Sequence, residues 1–99
     1  MRFFLVLKLF QNFKEKYFKM WLEDNGKLVK HFEFKDFNEA ISFLNKIAKI
    51  CNEVNHHPEI YNCYNQVKLS LYTHDSQNNI TKKDYKLAKL IDKISFENK

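Results

Sequence analysis

The spacing of apolar and polar residues predicts three helices and four strands. From residue 2 to about residue 20, apolar side chains occur on both sides of a helical wheel among Lys and Gln residues, which predicts a first helix. The stretch WLEDNGKLVKHFEF follows, with Asn25-Gly26 between two short apolar runs. Because Asn-Gly is the strongest two-residue hairpin signal, this stretch predicts two antiparallel strands.

A second helix is predicted over residues 37 to about 53. Asp36 precedes Glu39 by three residues, an arrangement typical of a capping box at a helix start. The apolar residues of the helix recur at three- and four-residue steps and form one stripe: Phe37, Ala40, Ile41, Leu44, Ile47, Ala48 and Cys51. Phe43 and Ile50 lie off this stripe, so we expect them to contribute to a contact with another subunit.

The remaining residues predict two more strands and a last helix. The segments IYNCYN and VKLSLYT predict strands joined by a tight turn near Asn65. Thr81 is predicted to cap the helix, with Asp84 at the fourth capping-box position. The residues expected on its buried side are Tyr85, Ala88 and Ile91, with Leu87 and Ile94 as further candidates. The order of elements predicts an α+β fold: a four-stranded antiparallel sheet with three helices packed on one face.

Composition limits the classes of protein to which the chain can belong. Its 99 residues predict a single domain spanning residues 1–99. The net charge is +5, but the basic residues are scattered, so we expect no direct nucleic-acid partner. No stretch of eighteen apolar residues occurs, so no membrane span is expected. Cys51 and Cys63 are expected to be packed free thiols with raised pKa values, in a cytoplasmic protein that could also enter the nucleus.

The segment NHHPE, residues 55–59, carries the first candidate chemistry. The predicted third strand begins just after His57, and its antiparallel partner ends just before His74. Antiparallel pairing brings these two strand ends to the same edge of the sheet. We therefore expect His56, His57 and His74 to be neighbours.

Three interpretations of these histidines compete. A three-histidine zinc site is disfavoured, because adjacent residues of an extended segment point in opposite directions. Each ring could instead satisfy a helix end or a loop carbonyl, although three converging rings weaken that interpretation. General acid–base chemistry suits imidazole, which can donate or accept a proton near neutral pH. The sequence offers no obvious covalent nucleophile and no glycine-rich phosphate loop.

Residues 32–92 strongly resemble the pterin-4a-carbinolamine dehydratases, also known as dimerisation cofactors of a homeodomain transcription factor. The resemblance is carried by His56-His57-Pro58-Glu59, Tyr64-Asn65, Thr73-His74, Thr81-x-x-Asp84 and Leu87-Ala88. Trp21 also falls where the family has a tryptophan. The first twenty residues match the family poorly, so the helix expected there depends on the apolar pattern alone.

The resemblance implies an enzyme that removes water from 4a-hydroxytetrahydropterin to give quinonoid dihydropterin in tetrahydrobiopterin recycling, without metal or other cofactor. The reaction needs an acid for the departing 4a-hydroxyl and a base for the proton on N5. By resemblance, His56 and His74 supply the acid and the base, and His57 mainly places the substrate. Weaker candidates for substrate binding, each with a structural alternative, are Glu59, Thr73, Asp84 and Trp21.

The resemblance also implies protein partners. Members of the family form dimers and tetramers, so a homodimer or homotetramer is expected. An alternative function is a binding module that packs against a helical protein partner and acts as a transcriptional coactivator, with Phe43 and Ile50 on the contact surface. Asn52 stands where members often carry an acidic residue, four positions before His56, and is expected to influence the orientation or titration of that histidine.

Overall fold

The protein is an α+β fold built on a four-stranded antiparallel sheet, as the apolar pattern predicts. A computed structural model describes residues 20–74 and 79–97. The elements of the described part are β1 (Leu22–Asp24), β2 (Lys27–Glu33), α1 (Phe37–Val54), β3 (Glu59–Cys63), β4 (Gln66–Leu71) and α2 (Lys82–Glu97). The helix predicted before Trp21 falls outside the described residues. Two of the three expected helices can therefore be assigned.

The strands lie in the order β1-β2-β4-β3, and every neighbouring pair is antiparallel. The β1–β2 hairpin turns at Asn25 and Gly26, whose φ angles are 53° and 77°, as the Asn-Gly signal predicts. The core side chains of the two central strands lie on one face, packed with residues of the helices. These strand residues are Leu28, Phe32, Val67, Leu69 and Leu71. The other face of the sheet, called the open face below, carries the alternate residues.

The core-facing side of α1 differs from the predicted stripe. Phe43 is fully buried, and its ring centroid lies 4.9 Å from that of Phe32 and 4.8 Å from that of Phe34. The expectation that Phe43 lies at a subunit surface is therefore wrong. Ile50 packs partly buried against the same core, whereas Phe37 is 47% exposed. Ala40, Ile47 and Cys51 of the predicted stripe are buried as expected, so the buried side of α1 keeps these residues and includes Phe43 in place of Phe37.

Two further burial predictions are wrong. Tyr85 is 49% exposed, and its hydroxyl donates to Oε1 of Glu23 at 3.2 Å. Cys63 is exposed because it ends the edge strand β3 with its side chain on the open face. Cys51 is buried as predicted, and burial raises the pKa of its thiol to about 11. Cys51 is therefore a packing residue and a poor nucleophile.

The turn between β3 and β4 is fastened to the end of β2. Its first residue, Tyr64, adopts a positive φ of 53°, which is uncommon for a bulky residue. The side-chain amide of Asn65 donates to the carbonyl of Phe34 at 2.9 Å, and the carbonyl of Asn65 accepts from the N–H of Phe34 at 2.8 Å. This pair of hydrogen bonds holds the predicted turn in place and helps to set the register of the two central strands.

Candidate functional site

His56 is positioned by the way α1 ends. Asn55 adopts a left-handed conformation, with φ of 53° and ψ of 47°. Its N–H donates to the carbonyl of Asn52 at 3.3 Å, and the N–H of His56 donates to the carbonyl of Cys51 at 3.1 Å. These two bonds form a Schellman motif, which satisfies the last carbonyls of the helix. The backbone of His56 is thus tied directly to the end of a well-packed helix.

The side chain of His56 contacts a buried carboxylate. Its Nε2 lies 2.6 Å from Oδ1 of Asp84, a residue in the first turn of α2 with no solvent exposure. A neutral imidazole that donates its Nε2–H to this oxygen keeps an unprotonated Nδ1. The arrangement therefore leaves His56 with one ring nitrogen able to accept a proton.

Asp84 accepts two further hydrogen bonds at Oδ2. The hydroxyl of Thr73 donates at 2.8 Å, and the N–H of Thr81 donates at 2.8 Å. Because Thr73 gives its only hydroxyl proton to Asp84, the hydroxyl of Thr81 donates to Oγ1 of Thr73 at 2.6 Å. Asp84 thus makes its half of the predicted capping box, while the Thr81 hydroxyl turns to Thr73. The carboxylate of Asp84 therefore both caps the start of α2 and contacts His56.

His57 has a different partner. Its Nε2 lies 2.9 Å from Oδ1 of Asn52, one turn before the end of α1, and its side chain is exposed. The side chain of Asn52 therefore orients His57, whereas Asp84 contacts His56, so the expectation that Asn52 orients His56 is wrong. The reason is steric: Pro58 favours an extended conformation at His57, so the two adjacent imidazoles leave the chain in different directions.

His74 lies three residues after the end of β4 and directly follows Thr73, which forms an isolated bridge with Asn79. β3 and β4 pair antiparallel as expected, with Glu59 opposite Ser70, so the start of β3 and the end of β4 lie at the same end of the hairpin. Contacts within the described residues join the two strand ends through Asp84 and Thr73, rather than by direct imidazole contact. The ring of His74 is exposed and lies 4.6 Å from the ring of Tyr72, at an interplanar angle of 58°.

Glu59 lies on the open face and forms an ion pair. Its Oε1 is 2.5 Å from Nζ of Lys27, and both side chains are partly exposed to solvent. The hydrogen bond that Lys27 donates to Glu59 is the main cause that raises the pKa of Lys27. This ion pair links β3 to β2 across β4. Glu59 therefore has a structural role at the start of β3.

Trp21 is attached to the framework. Its indole Nε1–H donates to Oδ1 of Asp92 at 2.9 Å, and Nζ of Lys30 lies 2.7 Å from the same oxygen. Asp92 follows Asp84 by eight residues on α2, a rise of about 12 Å along the helix. The structure therefore ties Trp21 to the middle of α2, away from the His56–Asp84 contact.

Lys27 and Tyr72 are the residues near the candidate site that the sequence analysis did not single out. Nζ of Lys27 lies 5.0 Å from the centroid of the Tyr72 ring, on the same face of the sheet as His74. Strand alternation places Tyr72 on the side away from the core, which was the available signal. The sequence alone could not predict that the ammonium of Lys27 lies above the Tyr72 ring, because Lys27 belongs to another strand.

The residues brought together suit proton transfer. Three imidazoles lie around the start of β3 and the end of β4: His56 on the buried carboxylate of Asp84, His57 on the amide of Asn52, and the exposed His74. Among residues 20–74 and 79–97, no group of three or more His, Cys, Asp or Glu side chains is placed to hold a metal ion. Within that part of the chain, no helix is long and apolar enough to cross a membrane.

Comparison with protein families and curated proteins gives consistent matches. A family model described as pterin 4 alpha carbinolamine dehydratase matches residues 8–94. A protein of Prochlorococcus marinus named "Putative pterin-4-alpha-carbinolamine dehydratase" is 52% identical over 77 residues, which is 78% of this chain and 79% of that protein. A Sulfolobus acidocaldarius protein of the same name is 47% identical over 74 residues, or 75% of this chain and 80% of that protein.

Two solved structures share the fold. A crystal structure of a transcriptional coactivator/pterin dehydratase from Brucella melitensis superposes with a TM-score of 0.70 at 34% identity, over 85% of this chain and 90% of that one. A pterin dehydratase-like protein described as a RuBisCO assembly factor in the alpha-carboxysome gives a TM-score of 0.63 at 21% identity, over 75% of this chain and 87% of that one. The second likeness supports the fold alone.

Proposed function

This chain belongs to the pterin-4a-carbinolamine dehydratase family, and we propose that it removes water from a 4a-hydroxytetrahydropterin to give the quinonoid dihydropterin. The reaction belongs to the recycling of tetrahydrobiopterin. The observation that carries the proposal is the contact of His56 with the buried carboxylate of Asp84. The same carboxylate accepts a hydrogen bond from Thr73, the residue before His74.

His56 is proposed as the base. With its Nε2–H held by Asp84, its Nδ1 takes the proton from N5 of the substrate. The imidazolium that forms lies against a carboxylate that accepts three hydrogen bonds and is fully buried. A fixed negative charge beside a developing positive charge stabilises the transition state without reorganisation. Thr73 and Asp84 thereby act through His56 and are positioning residues.

His74 is proposed as the acid. Its side chain is exposed to solvent, where a substrate can reach it. Protonated His74 gives its proton to the 4a-hydroxyl, the C4a–O bond breaks as the N5–C4a double bond forms, and water leaves. The proton taken by His56 and the one given by His74 balance, and exchange with solvent restores both rings.

His57 is proposed to place the substrate. Its Nε2 is engaged by Asn52, so the neutral ring presents Nδ1 as an acceptor for an N–H group of the pterin. Of the remaining candidates for substrate contact, Glu59 is proposed to support the site through Lys27. Trp21 is proposed to stabilise the fold through Asp92, away from the histidines. These assignments extend the two-histidine mechanism without adding a further proton transfer.

A homodimer or homotetramer is proposed as the assembly. The order of strands leaves β3 at an edge of the described sheet, and Ile60 on that strand is 49% exposed. Exposed apolar edge strands favour pairing with another chain. The coactivator alternative loses the surface expected for it, because Phe43 is a core residue.

The decisive experiment follows the dehydration of chemically generated 4a-hydroxytetrahydropterin by ultraviolet absorbance in metal-free buffer. The wild type should accelerate it, and His56→Ala and His74→Ala should each lose about a hundred- to ten-thousandfold in rate. His31→Gln, a change of a histidine on β2 outside the site, is the matched control and should retain the rate. A folded wild type that gives no acceleration would contradict the proposal.

A further inference from the structure

We propose that Tyr72, held in place by Lys27, is a positioning residue for His74. This inference rests on the proposed role of His74 as the acid, and it adds two residues to the site. It is carried by a run of contacts on the open face that ends at the exposed imidazole: Glu59 to Lys27, Lys27 to Tyr72, and Tyr72 to His74.

The backbone register brings these residues together. Leu28 pairs with Leu71 across β2 and β4, so the preceding Lys27 stands opposite Tyr72, one step beyond the assigned strand. Alternation then places the side chains of residues 72 and 74 on the same side of the chain. Tyr72 is therefore the fixed neighbour that the sheet supplies to His74.

Tyr72 contacts His74 in a geometry that restricts the imidazole. The ring centroids are 4.6 Å apart and the planes are inclined by 58°, within the range of favourable tilted aromatic pairs. The His74 side chain is exposed, so without a packed neighbour it would sample several rotamers. Holding the imidazole on Tyr72 raises the fraction of molecules in which the acid is aimed at one place.

Lys27 fixes Tyr72 in turn. Its ammonium lies 5.0 Å from the ring centroid, which is within cation–π distance. The 2.5 Å bond to Glu59 orients the ammonium, and the raised pKa of Lys27 keeps it charged over the working pH range. A long, flexible lysine side chain is thus anchored at its end, with the Tyr72 ring beneath it.

The direct test is a magnetic-resonance measurement on His74 that needs no substrate. Ring protons of His74 carry a ring-current shift from Tyr72, which Tyr72→Leu should remove and Tyr72→Phe should retain. Tyr61→Leu is the matched control: Tyr61 is an exposed tyrosine on the same sheet face, opposite Lys68 on β4, and its replacement should leave the His74 signals unchanged. Unchanged signals in folded Tyr72→Leu would overturn the proposal.

The kinetic test uses the same variants. Tyr72→Leu should lower kcat by about three- to tenfold, the factor expected for one aromatic pair, with KM changed by less than about twofold. Tyr72→Phe should restore kcat, and Lys27→Met should give an intermediate loss. Full kcat in Tyr72→Leu would overturn the positioning role. If the wild type has no dehydratase activity, the proposed function fails, while the His74 signals still decide whether Tyr72 orients the ring.

Discussion

Nε2 of His56 lies 2.6 Å from Oδ1 of Asp84, although the two residues are 28 positions apart in the chain. The contact joins the residue that closes the C-terminus of α1 to the first turn of α2. The N-terminal end of a helix favours a carboxylate, and Asp84 also receives two hydrogen bonds from threonines. The charge needed next to His56 is therefore stabilised before any substrate arrives.

Replacing Asp84 by Asn should separate this charge from the shape of the site. An amide has one acceptor oxygen, so it cannot accept from His56, Thr73 and Thr81 together. We expect kcat to fall about ten- to hundredfold and the free energy of unfolding to fall by about 1–3 kcal/mol. Ultraviolet assays and urea denaturation measure the two effects.

Asp92→Asn is the matched control for Asp84→Asn. It makes the same change on the same helix, where Asp92 binds Trp21 and Lys30. It should lower stability while leaving kcat of the folded protein unchanged. Equal losses of kcat in both variants would show that general destabilisation of α2, rather than the His56 contact, explains the effect.

Asn52→Ala should act on substrate affinity. The variant removes the oxygen 2.9 Å from Nε2 of His57, so that imidazole loses its orientation while His56 and His74 keep their contacts. We expect KM to rise about three- to tenfold with kcat changed little, because binding in the ground state and in the transition state is weakened equally. Asn45→Ala, at an exposed position of the same helix, should change neither constant. A fall in kcat with constant KM would instead place His57 in the proton transfers.

Phe43→Ala and Phe37→Ala should differ strongly although both residues lie on α1. Phe43 is fully buried among Phe32 and Phe34, so its truncation should lower the free energy of unfolding by about 3–5 kcal/mol. Phe37 is 47% exposed and should cost less than about 1 kcal/mol. Urea denaturation compares them. Similar values would contradict the orientation of α1 on the sheet.

His31 should make stability depend on pH in the acid range. Burial, and secondarily the charge of Lys68, lower the pKa of His31 in the folded protein. As the pH falls, His31 of the unfolded chain takes up its proton before His31 of the folded protein does. The stability due to neutral His31 is therefore complete above about pH 6.5 and is lost as the pH falls from that value toward the folded pKa. Urea denaturation between pH 7.5 and pH 5 should show the decrease, and His31→Gln should reduce it. Titration of Lys68→Gln by magnetic resonance should give a higher His31 pKa, and an unchanged value would exclude Lys68 as a cause.

Local signals in the sequence were sufficient for the hairpins and for the start of α1. Asn25-Gly26 forms the expected turn because its dihedral angles are a property of those two residues. Asp36 accepts from the N–H of Glu39 at 2.9 Å at the start of α1, as the capping-box spacing predicts. Each of these features depends on neighbours within a few positions, so the sequence determined them by itself.

Only the tertiary structure decided that Phe43 rather than Phe37 is buried on α1, and which partner each histidine has. Helical spacing correctly groups Ala40, Ile47 and Cys51, and contact with Phe32 and Phe34 adds Phe43 to this buried side instead of Phe37. The partners of His56 and Tyr72 are Asp84 and Lys27, which come from other elements of the fold. The residue types at the site can be read along the chain, whereas their contacts depend on how helices and strands distant in sequence pack together.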